Sequence, residues 1–299
     1  MNELAPSTVE LLREVGLDPD AVSRIVANAL AEDLGPHGLD VTSVATISAE
    51  QTDLADLVAR GDGVVAGLPV ARATFDLAGA RTVEFEALTR DGARVSRGDV
   101  VATVFGPTRA LLTAERTALN LLCRMSGVAT HTRAWADALA GTKAMVLDTR
   151  KTTPGLRILE KYAVRAGGGA NKRMGLYDVA MIKDNHKLAA GGVTAVYRRV
   201  REAFPDVPVQ VEVTTVAEAV EAVEAGATFL LCDNMSTRVL RDTVEEVGDR
   251  AELEATGGLT LEVAREYAAT GVDFLSVGAL THSSPILDVA LDLRPRGYA

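Results

Sequence analysis

Hydrophobic and polar positions change rhythm once along the chain. Ala21 to Leu34 carries apolar residues at helical spacing and predicts an amphipathic helix. Leu57 to Ala66, Thr82 to Phe85 and Gly98 to Val104 read as strands, with Asp91-Gly92 and Arg97-Gly98 as turn punctuation. From Ala110 to Cys123 helical spacing returns through Leu111, Leu112, Ala118, Leu121 and Leu122. After about Val128 short apolar runs alternate with amphipathic stretches. The runs are Ala144 to Leu147, Val179 to Ile182, Val209 to Val213, Thr228 to Cys232, Leu253 to Ala255 and Phe274 to Val277. Helical patterns fill the later gaps at Val216 to Ala225, Thr237 to Val247 and Leu261 to Ala269.

Strand and helix alternating about every 20 residues predict βα units and a parallel sheet. With six such runs, a barrel or partial barrel is favoured over a flat doubly wound sheet. No Gly-x-Gly-x-x-Gly follows a predicted strand, which argues against dinucleotide binding. The change of rhythm divides the chain into a mixed α/β domain, 1–127, and a βα domain, 128–275, joined through the helix around Glu115 with no linker between them.

Composition narrows the function classes. The chain has 299 residues, 47% of them hydrophobic but only 4% aromatic, which suits an α/β protein with small side chains between helices and sheet. Met1 to Leu17 lacks a basic start followed by an apolar run, and no stretch is long and apolar enough to span a membrane. Cys123 and Cys232 lie among apolar residues, the pattern of core thiols in a reduced, cytoplasmic protein. The net charge of -10 argues against a nucleic-acid partner. Against that background, Asp148 to Lys187 holds nine Lys or Arg and only four carboxylates.

In a βα barrel, chemistry gathers at the carboxyl ends of the strands. Those ends read Asp148-Thr149-Arg150-Lys151, Lys183-Asp184-Asn185-His186, Glu212, Asp233-Asn234, Thr256-Gly257-Gly258 and Gly278-Ala279. Early strands thus supply cations, later ones carboxylates, and the last two supply glycines that let backbone N–H groups approach a phosphate. Between the first two strands, Gly167-Gly168-Gly169 followed by Lys172-Arg173 suggests a mobile or tightly approached backbone beside two more cations. Massed cations repel unless an anion sits among them, and Arg grips carboxylates with paired hydrogen bonds. Glu212 and Asp233 suit a hydrated Mg²⁺ shared with substrate phosphates. The inferred site takes a carboxylate-bearing anion, a phosphate and a Mg²⁺-bound polyphosphate, which fits phosphoribosyl transfer. His37, His131 and Trp135 read as structural residues, and His186 as a residue that can fix its loop.

The run Asp148 to Arg157 (Asp-Thr-Arg-Lys-Thr-Thr-Pro-Gly-Leu-Arg) resembles the signature of the quinolinate phosphoribosyltransferases. So do Glu160 to Arg165, Ile182 to His186, Glu115 to Asn120, Asp233 to Ser236, Gly278 to Ser283, Glu32 to Gly35 and Asp40 to Ser43, which together cover nearly the whole chain. The resemblance implies an N-terminal α/β sandwich domain and an open α/β barrel of about seven strands, with a tail, 276–299, returning to the first domain. It implies that quinolinate and phosphoribosyl pyrophosphate give nicotinate mononucleotide, pyrophosphate and CO₂, with Mg²⁺ as cofactor. It implies a homodimer in which Arg116 enters the partner's site. By motif position, Arg150, Lys172, Arg173 and Lys183 would meet quinolinate, and Lys151, Glu212 and Asp233 would meet phosphoribosyl pyrophosphate and its Mg²⁺. Thr256, Gly257 and Gly278, with His282 nearby, would meet the 5′-phosphate. One departure stands out: the family usually has His-Arg where this chain has Lys172-Arg173. Lysine is a flexible point charge where histidine would titrate.

Other readings remain compatible with the residues alone. Lys183 could be the amine of a Schiff-base lyase. The chain could bind anionic metabolites without turnover, or serve as a related transferase of the molybdenum-transport-associated type.

Overall fold

The computed structural model describes residues 3–79 and 81–295. It divides into two compact units. The first comprises residues up to His131, Thr153–Gly168 and the chain from Ser283 onward; the second comprises Thr132–Thr152 and Gly169–His282.

In the first unit, helices α1 (Pro6–Glu14), α2 (Pro19–Leu34) and α3 (Val41–Thr46) precede the sheet. Helix α2 starts where Asp18 accepts the Asp20 N–H and Pro19 occupies the first turn, and it stops at Gly35. Strands β1 (Thr52–Ala59), β2 (Gly63–Val64), β3 (Glu84–Ala87), β4 (Arg94–Val95) and β5 (Val100–Pro107) follow, with α4 (Leu68–Gly79) between β2 and β3. The main sheet runs β12-β1-β5-β3, where β12 is Val289–Leu293, and β1 pairs antiparallel with both neighbours. Its core joins Leu57, Phe75, Val104, Leu111 and Leu122. Helix α5 (Thr108–Ala138) is far longer than the predicted Ala110–Cys123 and runs through the expected boundary at 127.

The second unit is built on a parallel sheet ordered β6-β11-β10-β9-β8-β7. Its strands are β6 (Met145–Leu147), β7 (Ala180–Ile182), β8 (Val209–Val213), β9 (Phe229–Asp233), β10 (Glu252–Thr256) and β11 (Phe274–Ser276). All six apolar runs are therefore strands. Ala170 forms an isolated parallel bridge to Leu147 on the free side of β6, a rudimentary seventh position that lies short of a full strand. Helices α7 (Asp184–Ala190), α8 (Val193–Ala203), α9 (Val216–Glu224), α10 (Thr237–Val247), α11 (Ala264–Ala268) and α12 (Ala279–His282) fill the intervals. Thr215 and Ser236 cap α9 and α10 by accepting the N–H groups of Glu218 and Val239.

The first boundary falls after His131 instead of 127, and the expected domain limits need correction in two further places. Thr153–Gly168, with α6 (Arg157–Ala166), belongs to the first unit instead of the barrel. Glu160 is wholly buried there, accepts hydrogen bonds from Arg124 at 2.8 and 3.0 Å, and also takes the Thr153 N–H and hydroxyl. Tyr162 donates to Asp91 at 2.6 Å. The returning tail begins at Ser283 and not at 276, because β11 and the turn leading to His282 stay with the parallel sheet. Residues 296–299 of that expected tail lie outside the described residues.

Candidate active site

The carboxyl ends of the six parallel strands surround a cleft of about 770 Å³, within the range of small-molecule sites. Arg150, Lys151, Lys172, Arg173, Lys183, Glu212, Asp233, Thr256, Gly257, Gly278 and His282 all line it. Of the residues expected to contact substrate, Arg116 is the exception. It stands on α5 in the first unit, with most of its side chain exposed and its guanidinium 4.0 Å from Glu115.

Strand geometry explains the convergence. In parallel strands that share one direction, the first residues past each strand fall on one rim. Arg150 and Lys151 follow β6, Lys183 follows β7, Glu212 and Asp233 close β8 and β9, and Gly257 and Gly278 follow β10 and β11. A Cβ at 278 would crowd the side chains of Lys151, 2.9 Å from Cδ, and His282, 3.3 Å from Nε2. Gly257 has φ +98°, and a Cβ would come 3.0 Å from the backbone nitrogen of Asn234, itself left-handed at φ 52°. Both positions bring main chain, instead of side chain, to the rim. The Lys151 carbonyl accepts the Thr281 hydroxyl at 2.8 Å, and its N–H donates to Thr149 Oγ1.

Five cations and two carboxylates face the cleft, and Lys183 and Lys172 are each paired with a carboxylate. Lys183 Nζ lies 2.6 Å from Glu212 Oε2, with the lysine half exposed and the glutamate nearly buried. Lys172 Nζ lies 2.5 Å from Glu254 Oε1, with both side chains buried. Burial pushes the Lys172 ammonium below its ordinary pKa, Glu254 pulls it back up, and the neighbouring charges of Lys183 and Arg173 lower it further. The flexible point charge expected at 172 is thus pinned by Glu254 at the edge of the cleft. Ser276 also donates its hydroxyl to Glu254 Oε1, and Glu254 Oε2 is buried without a hydrogen-bond partner.

The basic loop is also less mobile than its three glycines suggest. Asp148, fully buried, accepts the Lys172 N–H at 2.9 Å and the Asn171 amide at 2.6 Å. Arg173 Nη1 donates to the Val179 carbonyl at 3.0 Å. Burial, and then the adjacent Arg150, push Arg173 below its ordinary pKa. Two guanidiniums pressed together in this way form a ready seat for a carboxylate.

Sequence reading missed Glu254 as the partner of Lys172 and Asn234 as the residue that packs on Gly257. A lone carboxylate inside the apolar run Leu253–Ala255 was the available signal for the first. His186 fixes the turn after β7, since its Nδ1 accepts the Lys183 N–H at 2.9 Å. Trp135 is core. His131 is half-buried, with Nδ1 2.9 Å from Ser284 Oγ, and burial lowers its pKa. Both cysteines are free and buried. Among the described residues no three His, Cys, Asp or Glu side chains form a metal cage, and no helix is long and apolar enough to cross a membrane.

Comparison with known proteins agrees with this geometry. Residues 40–126 match the family model for the N-terminal domain of quinolinate phosphoribosyl transferase, and residues 128–292 match that for its C-terminal domain. The chain is 48% identical over 278 residues to a nicotinate-nucleotide pyrophosphorylase [carboxylating] of Mycobacterium leprae, covering 92% of this chain and 98% of that one. It is 40% identical to a probable enzyme of the same name from Bacillus subtilis, covering 91% and 93%. Among solved structures, the nicotinate-nucleotide pyrophosphorylase of Francisella tularensis superposes with a TM-score of 0.88 at 33% identity, covering 92% of this chain and 96% of that one. That of Ehrlichia chaffeensis gives 0.86 at 33% identity, covering 91% and 98%.

Proposed function

The chain belongs to the quinolinate phosphoribosyltransferase family, and on that premise we propose how its own cleft carries out the reaction. It is a carboxylating nicotinate-nucleotide pyrophosphorylase of NAD biosynthesis. Quinolinate and phosphoribosyl pyrophosphate give nicotinate mononucleotide, pyrophosphate and CO₂. The observation that carries the assignment of roles is the segregation of charge around one rim, with arginines and lysines past β6 and β7 and carboxylates at β8 and β9.

Arg150 and Arg173 hold the two carboxylates of quinolinate, with Lys183 available once it leaves Glu212. The ring nitrogen then forms its bond to the anomeric carbon as the bond from that carbon to pyrophosphate breaks. Positive charge develops on the ribose and is met by Glu212 and Asp233. Lys151 neutralises the departing pyrophosphate. The main chain at Thr256, Gly257 and Gly278, with His282 beside it, receives the 5′-phosphate. The new pyridinium nitrogen is cationic, so the adjacent carboxylate leaves as CO₂, its electron pair remaining on the ring carbon beside N⁺ until a proton is taken up. No covalent nucleophile is needed, and positioning with charge neutralisation suffices. An ammonium hydrogen-bonded to a carboxylate, as Lys183 is, speaks against a Schiff-base role for it.

Glu212 and Asp233 are hard oxygen donors on neighbouring strands of one cleft, and they fit Mg²⁺, which binds through one or two carboxylates and keeps its other positions for water and phosphate. Bound there, the ion would neutralise the polyphosphate. The exposure of Arg116 on α5 and the family resemblance support a homodimer in which this arginine serves the partner's cleft. Two free, buried thiols support the cytoplasm as its compartment.

The test is incubation with quinolinate labelled at the 2-carboxylate, phosphoribosyl pyrophosphate and Mg²⁺. Labelled CO₂ and nicotinate mononucleotide should appear in equal amounts, and a chelator should stop both. Quinolinate binding with no release of CO₂ or pyrophosphate would overturn the assignment.

A further inference from the structure

Resting on the role just given to Glu212, we propose that Lys187 is a positioning residue that holds Glu212 in register while Lys183 exchanges partners during the reaction. Lys183 is the residue just before α7 and Lys187 lies four residues on, within the helix. Both reach the same residue. Lys183 Nζ takes the Glu212 carboxylate at 2.6 Å, and Lys187 Nζ donates to the Glu212 backbone carbonyl at 2.9 Å.

The environments of the two lysines differ, and so must their tasks. The side chain of Lys183 is 49% exposed and opens on the cleft, where an incoming carboxylate can draw it away from Glu212. Lys187 is buried and does not line the cleft. Its ammonium is also held by Asp184 at 2.8 Å and by both carboxylate oxygens of Glu218 at 3.2 and 3.3 Å. Glu218 in turn accepts the Thr214 N–H at 2.8 Å and hydroxyl at 3.0 Å. Lys187 therefore ties together the first turn of α7, the end of β8 and the first turn of α9, with Glu212 at the centre.

When Lys183 turns toward substrate, the Glu212 carboxylate becomes available to the ribose, and its backbone must not move. A displacement of about 1 Å of such a group costs on the order of a hundredfold in rate. The Lys187 bond to the carbonyl survives the exchange, because it involves neither the carboxylate nor the cleft.

The experiment compares Lys187→Met and Lys187→Arg with the unaltered protein. Steady-state kinetics, thermal melting and amide hydrogen exchange of residues 209–218 are measured on each. Lys187→Met should lower kcat roughly tenfold or more while KM for quinolinate stays within about threefold, since transition-state contacts are lost and substrate seats are kept. Exchange should quicken at residues 212–215, and Lys187→Arg should recover most of both effects. A Lys187→Met protein with kcat within about twofold of the original, or with faster exchange spread evenly over the parallel sheet, overturns the proposal. If the unaltered protein makes no nicotinate mononucleotide, the reading of the reaction fails separately. The exchange measurement then still decides whether Lys187 holds the end of β8.

Discussion

Among single residues, Lys172 departs furthest from what its sequence position suggests. The sequence offered a basic dipeptide beside glycines, read as two cations facing an anion with Lys172 a flexible point charge that meets quinolinate. The structure instead buries the ammonium against Glu254. That pairing was not legible, because 82 residues separate the two and only the tertiary fold joins them. Removing one member of a buried pair strands the other charge, so Lys172→Met should cost about 3–5 kcal/mol in urea unfolding. The double variant Lys172→Met/Glu254→Leu should recover most of that loss. Lys172→His keeps a possible cation over Glu254 and should leave turnover within about tenfold of the original. Cys232 gives a prediction in pH. Burial, and then the charge of Glu254, push its thiol from 9.0 up to about 12. A folded-state pKa above the unfolded value means that native Cys232 holds its proton longer. Its contribution to stability is complete below about pH 9 and is lost as pH rises toward 12. Alkylation of Cys232 in the native protein at pH 8 should be slower than in the urea-unfolded chain by at least a hundredfold. Equal rates would show that the site opens freely.

For elements, legibility followed length and spacing. The six apolar runs of the parallel sheet were visible because each is bounded by polar residues, and three of them are followed by a helical pattern. Three strands were not separately visible, and neither were helices α1, α4 and α8. Strand β2 was merged with the end of β1 into the single run Leu57 to Ala66, and β4 has only two residues, too few for any alternation to register. The strand β12 pairs with β1 some 230 residues away, a partnership that no local pattern records. Helix α5 was read only to Cys123, because Gly127 and the small residues around it weaken the helical pattern. The reason for that glycine lies outside the helix. A Cβ at 127 would overlap the Pro285 carbonyl oxygen and lie 2.8 Å from Ile286 Cα. Helix propensity alone would make Gly127→Ala stabilising by about 1 kcal/mol. Backbone overlap should reverse the sign, giving a net loss of about 1–3 kcal/mol and a lower melting temperature. An unchanged or raised melting temperature would mean that the Pro285 segment moves aside without cost.

Across the whole molecule, the active cleft was largely legible, since Arg150, Lys151, Lys183, Glu212, Asp233, Thr256, Gly257 and Gly278 all follow from reading strand ends in order. The division of the chain was less so. Thr153–Gly168 reads as part of the catalytic signature, yet Glu160 and Tyr162 are anchored to Arg124 and Asp91 in the first unit. The proposed dimer makes a prediction at this scale. Arg116→Ala and Lys151→Ala should each be inactive alone. Unfolded together in equal amounts and refolded, they should recover about a quarter of normal activity, because half of the dimers are mixed and each holds one intact site. No recovery would place Arg116 in its own chain's chemistry or in none. Finally, the β1–β12 pairing bears on biogenesis. Strand β1 leaves the ribosome with the edge destined for β12 uncovered, and synthesis at about 5–20 residues per second leaves it so for roughly 10–50 s. Through that interval the nascent polypeptide presents an unpaired strand to its neighbours on the polysome. Demand for chaperone protection should therefore fall most heavily on the half that is made first and contributes least to the chemistry.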